Sequence, residues 1–280
     1  LRELPWGFWG GQIAVLIRRE VRRQLFTRRR VWVYLLAFAP VLITALHYFI
    51  DRSVPNDTVA LGDDTQVLAG IVQLYYVRLG LFFACMGIFT WLVRGEMVER
   101  TLHYSFLSAV RREVLVVGKF VGGLATTILL FEAALLGCFY FIYGRFGSAG
   151  AAYVFEGPGL RQLGAYALVI ALGALGYGAV FLGLSLVFKN PIVPGALLLG
   201  WETITPILPR SLQMLSVTFY LKQLYPVPFA ETRGILNLFT VIPEPLPSYV
   251  AAFGLVCFAA LVVVFSCYWI RKIEITYTTD

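Results

Sequence analysis

The chain has 280 residues, of which 59% are apolar, 14% charged and 15% aromatic, with a formal net charge of +7. Its mean hydropathy is +0.77. Soluble domains run at about 45–50% apolar and about 25% charged, so this composition excludes a water-soluble enzyme and a disordered chain, and four cysteines are too few for a disulfide-stapled module. An all-α polytopic membrane protein remains, because long apolar runs satisfy their backbone in lipid as helices, and the short alternating segments of a membrane barrel are absent.

In chain order, the first element is a basic helix within residues 1–30. Ile13, Leu16, Ile17, Val21 and Leu25 recur at helical spacing, while Arg18, Arg19, Arg22 and Arg23 occupy the rest of the wheel. The pattern suits an amphipathic helix at the headgroup boundary, its arginines facing anionic lipid or an acidic partner, since five apolar positions in phase exceed what an orientation-setting basic flank needs. The opening residues lack the order of a cleaved signal peptide, so the spans themselves are expected to direct insertion.

Residues 31–280 then form a six-span membrane domain, with spans near Val31 to Ile50, Val67 to Val93, Leu115 to Tyr143, Gln162 to Phe188, Pro191 to Leu208 and Tyr249 to Ile270. The fourth and fifth are separated so briefly that a tight hairpin is expected. Most of the 23 Lys and Arg then fall on one side, which places both termini in the cytoplasm of a cytoplasmic (inner) membrane protein. Basic residues flank spans and do not form a separate polar domain, so nucleic acid is not an expected partner.

Residues 209–247 are apolar but broken by prolines. Two short helices fit there, Ser211 to Leu224 and Ala230 to Phe239, either dipping into the membrane as a re-entrant segment or lying flat on its outer surface. Three ionisable residues fall within spans: Arg78, Glu132 and Glu202. Each is expected to face protein or water at mid-to-outer depth, either along a substrate path or in a structural ion pair. Cys85, Cys138, Cys257 and Cys267 lie apart in apolar runs and are expected to be unbridged.

The inward link at residues 95–113 carries Glu96 and Glu99, then Thr101, Leu102, Ser105 and Phe106, then Arg111 and Arg112, on a helix expected to begin near Glu96. This order, closed by Gly118-Lys119, resembles the permeases of ATP-binding-cassette transporters of the type-2 exporter superfamily. Trp201-Glu202, Leu208-Pro209, Leu215-Ser216 and Tyr220 resemble the fifth span and outer re-entrant segment of some of them. Ala109 stands where the family has proline, and Arg100 where it commonly has glycine. The resemblance implies a homodimer or a pairing with a sister permease, whose inner loops rest on cytoplasmic ATPase subunits through Glu96, Glu99, Thr101, Leu102, Ser105, Phe106, Arg111 and Arg112. No phosphate-cradling Gly-x-x-x-x-Gly-Lys-Ser/Thr loop occurs in the chain. The chain is therefore expected to carry no cofactor and no catalytic or metal site, with ATP and Mg handled by the partner. Two other readings are a non-transporting anchor for a larger membrane complex and a membrane-embedded enzyme. The enzyme must manage with His47 and His103 as its only histidines, one near the outer boundary and one in the inner loop.

Overall fold

The computed structural model describes residues 6–26, 31–53, 61–98, 111–188, 190, 192–227 and 246–272, and every regular element among them is helical. Helix α1 (Trp6–Phe26) precedes α2 (Val31–Ser53); α3 (Leu61–Gly70) runs through a π-helical stretch (Ile71–Gly80) into α4 (Leu81–Val98). Then come α5 (Arg112–Gly144), α6 (Gly147–Phe155), α7 (Gly159–Val187) and α8 (Ile192–Ile204) with a 3-10 turn (Thr205–Ile207). Two short helices, α9 (Arg210–Gln213) and α10 (Val217–Lys222), precede the last, α11 (Ser248–Lys272).

Five helical stretches are long and apolar enough to cross a bilayer: Val31–Ile50, Leu61–Leu92, Arg112–Gly144, Gly159–Val187 and Ser248–Lys272. They coincide with five of the six expected spans. The expected fifth span is shorter than its apolar run: α8 has 13 residues, about 20 Å of helix, before the chain tightens into the 3-10 turn. Pro206 supplies the reason, since it has no N–H to continue the ladder. The helix expected from Ser211 to Leu224 is likewise two helices. Ser216 interrupts it with extended backbone, and its hydroxyl accepts from the Phe219 amide as the N-cap of α10. The helix expected from Ala230 to Phe239 lies outside the described residues. The helix expected to begin near Glu96 does not begin there, because α4 continues unbroken to Val98.

Close contacts fix the helix directions. Leu16 lies on Gly118 and Glu20 on Gly122, so α1 runs parallel to α5 along its first half. Val41 lies on Gly137 and Tyr48 near Gly144, so α2 continues the same line along the second half of α5. Side chains at Gly118 and Gly122 would collide with α1, which is why small residues stand there. The apolar stripe foreseen on α1 is therefore turned against α5, with Glu20 and Gln24 buried in the same face and hydrogen-bonded at 2.8 Å. Helix α4 runs antiparallel to α5, Gly123 meeting Phe89 and Leu92, and α7 runs parallel to α4, Leu81 meeting Gly173 and Phe89 meeting Gly178. At one end, Arg271 pairs with Glu113 while Arg112 Nη1 donates to the Arg271 carbonyl at 3.3 Å, tying the start of α5 to the end of α11. At the other end the chain reverses after α5 at Gly147, whose φ of 55° favours glycine.

The core is the contact of α3–α4, α5 and α7, whose most apolar stretches are 56%, 67% and 61% buried against 22% for both α2 and α11. Tyr76, Phe82, Phe89, Phe131, Tyr166, Tyr177 and Phe181 are fully enclosed. The outward side chains of α2 and α11, including Leu42, Ile43, Leu46, Phe253, Leu261 and Val264, are apolar and exposed. Such surface suits lipid or another membrane subunit.

Candidate functional site

The three charges within apolar helices lie on different helices, and contacts between their neighbours relate them along the bundle. Phe131, beside Glu132, lies against Gly80, two residues after Arg78. Phe82 packs edge-on against Tyr177 with centroids 5.5 Å apart, and Tyr177 shares a 3.0 Å hydrogen bond with Thr218, whose amide faces Glu202. The hydrogen bonds of Glu202 come from Ser216, Val217 and Thr218. Arg78 is exposed at the end of the π-helical stretch, and Glu132 is half-buried on the side of α5 that also carries exposed Leu129, Leu136 and Tyr140.

Glu202 has the most developed surroundings. Its carboxylate, on the last turn of α8, accepts from the Ser216 hydroxyl, the Val217 amide at 3.0 Å and the Thr218 amide at 3.3 Å. It therefore caps the positive end of α10. Helix α10 is held against the middle of the bundle: Val217 lies on Gly176 and Leu221 on Gly173 of α7, while Tyr220 lies on Gly254 of α11. A chain break at this depth leaves backbone donors without helical partners, and one carboxylate satisfies two of them.

A second device lies at the π-helical stretch. Pro40, inside α2, has no N–H for the carbonyl of Leu36. The Tyr75 hydroxyl donates to that carbonyl at 3.0 Å, and the neighbouring Tyr76 hydroxyl donates to the Ala37 carbonyl at 3.1 Å. Tyr75→Phe is expected to destabilise the fold by about 1 kcal/mol, the usual scale for a hydrogen bond in a membrane protein. Unfolding in mixed micelles checks this, and Pro40→Ala, which restores the helical donor, should make the Tyr75 substitution nearly neutral.

Two polar groupings were not anticipated. Asp64 and Arg145 form a buried ion pair at 2.7 Å, their side chains 7% and 9% exposed, with His47 Nε2 3.1 Å from Arg145 Nη1. Beside it, Tyr143 donates to Thr65 at 3.4 Å and stacks on Tyr153, which donates to Gln162 at 2.8 Å. Lys119 is also buried, its ammonium donating to the Leu92 carbonyl at 2.9 Å.

Of the residues assigned to ATPase coupling, Arg111 precedes α5 in extended conformation and Arg112 reaches the end of α11. Glu96 belongs to the last turn of α4. Glu99, Thr101, Leu102, Ser105 and Phe106 lie outside the described residues. Arg18, Arg19 and Arg22 are exposed on α1, and Arg23 is half-buried. All four cysteines are free thiols. Among the described residues no group of three or more His, Cys, Asp or Glu is placed to hold a metal ion.

No family model matches the chain, and no curated protein matches it. The composition and the five long apolar helices define a multi-pass, all-α membrane protein.

Proposed function

We propose that this chain is the permease subunit of an ATP-driven exporter in a cytoplasmic membrane, with both termini in the cytoplasm. Two permeases, identical or sister chains, form the translocation path, and separate cytoplasmic subunits bind ATP and Mg and hydrolyse the nucleotide. In this division of labour residues 1–30 are the entry helix, residues 31–280 the membrane domain, residues 95–113 the contact with the ATPase, and residues 209–247 an outer re-entrant segment.

The observation that carries the reading is irregular backbone within the apolar bundle. The π-helical stretch ends near Arg78 and packs through Gly80 on Phe131, beside Glu132, and the α8–α10 break is closed by Glu202. Polar residues and broken helices at membrane depth are costly, and they recur where helices border a path that must open to water. The resemblance of residues 96–119 and 201–220 to type-2 exporter permeases supports the same reading.

The test is to purify the full chain from its native membrane and measure subunit stoichiometry and ATP hydrolysis. A soluble nucleotide-hydrolysing subunit should accompany it one to one, and a photo-crosslinker at Ser105 should capture that subunit. A particle without such a subunit, or capture of lipid alone, overturns the proposal and favours an anchor.

A further inference from the structure

Helix α1 has two unlike sides. Leu16, Ile17 and Glu20 face α5, and Glu20 is occupied there by Gln24. The opposite side is a groove of about 600 Å³ lined by Val15, Arg18, Arg19, Arg22, Arg23 and Phe26, with no carboxylate among its lining residues. Guanidinium groups at i, i+3 and i+4 repel one another, so this side of the helix calls for an anion. Val15 and Phe26, 69% and 81% exposed, make its flanks apolar. A charged centre with greasy edges matches the boundary between headgroup and acyl chain.

A second feature lies a short length of chain away. The Tyr34 hydroxyl donates to the Leu25 carbonyl at 2.6 Å, so the last turn of α1 is fastened to the first turn of α2. There, a cavity of about 330 Å³ is lined by Trp32, Met86, Ile88, Trp91 and Ile192 among others, none of them charged. Phe26 of the groove and Trp32 of the cavity are separated by only residues 27–31, which limits their separation to about 20 Å. Two tryptophans within about 20 Å of chain from an arginine cluster suit the headgroup level of one leaflet. The arginine-bearing turns of α1 lie at that level too, since Arg18, Arg19 and Arg22 flank the Leu16 and Glu20 contacts with Gly118 and Gly122 of α5, one turn from buried Lys119.

We propose that the groove and the cavity together hold one phospholipid with an anionic headgroup, its phosphate on Arg18, Arg19 and Arg22 and one acyl chain between Trp32, Met86, Trp91 and Ile192. Arginine grips phosphate oxygens through paired N–H donors, which an ammonium cannot do. A free anion uses the groove and leaves the apolar cavity unexplained, while an acidic protein segment has no chain to put between two tryptophans. The lipid would clamp α1 along α5 and against the start of α2. The site requires only that the chain be a membrane protein, and it stands whether or not the chain is an exporter.

The experiment uses the full chain in nanodiscs containing phosphatidylglycerol and phosphatidylcholine, both carrying a photoactivatable acyl terminus, with retained lipid counted by native mass spectrometry. The wild type should retain phosphatidylglycerol preferentially and label peptides containing Met86 or Trp91. Arg18→Gln, Arg19→Gln and Arg22→Gln together should cut that preference by about tenfold or more, at roughly a factor of five per basic group near an anionic surface, whereas the three Lys replacements should restore part of it. Ile192→Trp, which narrows the cavity and leaves the arginines untouched, should abolish labelling at Met86 and Trp91. Equal retention of the two lipids by the wild type, an unchanged preference in the triple Gln variant, or complete displacement by soluble glycerol phosphate overturns the proposal.

Discussion

Glu202→Ala is expected to release α10 from the end of α8. The substitution leaves the amides of Val217 and Thr218 and the hydroxyl of Ser216 without their acceptor, in a segment packed on Gly173, Gly176 and Gly254. Each buried donor left unsatisfied costs about 1–3 kcal/mol, so the three together are worth about 3–5 kcal/mol once some rearrange. The loss is local. Hydrogen exchange should rise across Val217–Lys222, whereas α5 and α7, buried elsewhere, keep their protection. Glu202→Gln separates charge from shape: its single carbonyl oxygen can still accept, but its amide group turns donors towards donors, so an intermediate loss is expected. Unchanged exchange at Val217 and Thr218 in the Ala variant would mean that the carboxylate does not hold this helix.

The contrast between Glu202 and Glu132 shows what a sequence can and cannot say about such sites. Both are visible as acids in apolar runs, and their depth follows from counting residues along a helix. Their partners do not. Glu202 finds its own in Ser216 and the two amides after it, because Pro206 and Pro209 fold the chain back, whereas Glu132 sits on an unbroken helix that offers it no backbone donor. Five of the spans were legible to within about six residues, since apolar runs flanked by Arg, Asp, Gly and Pro leave little freedom. The shortened α8 and the split at Met214–Ser216 were half-legible: the prolines and the Ser cap are there to be read, but apolar content extends past both. The π-helical stretch was not legible. Ile71–Gly80 holds neither proline nor an unusual composition, and its widened turn accompanies Tyr75 and Tyr76 reaching the carbonyls near Pro40, a contact between residues far apart in the chain. The amphipathic pattern of α1 was legible as a pattern, while its apolar side faces α5 because Gly118 and Gly122 open a seat for it.

Arg145→Leu is expected to destabilise the end of the bundle opposite Arg112 by about 3–5 kcal/mol, because it removes the guanidinium that lies 2.7 Å from the buried carboxylate of Asp64. The pair joins the first turn of α3 to the turn after α5, and Thr65, next to Asp64, carries the contacts to Tyr143 and Tyr153. Loss of the pair should therefore loosen the Tyr143–Tyr153 stack as well. Asp64→Asn is expected to cost less: Arg145 keeps His47 at 3.1 Å and the Phe146 ring at 4.7 Å, so its charge is not left without company. The decisive variant is the double one. Asp64→Leu with Arg145→Leu removes both charges, and replacing a buried pair by apolar side chains is often close to neutral, so the double substitution should recover most of the stability lost in the single Arg145→Leu. Denaturation of the four forms in the same micelles gives the coupling directly. Additive losses would place the two side chains in separate roles; recovery in the double variant would mean that the charge on Asp64 needs Arg145, and that the fold at this end needs neither charge for its own sake.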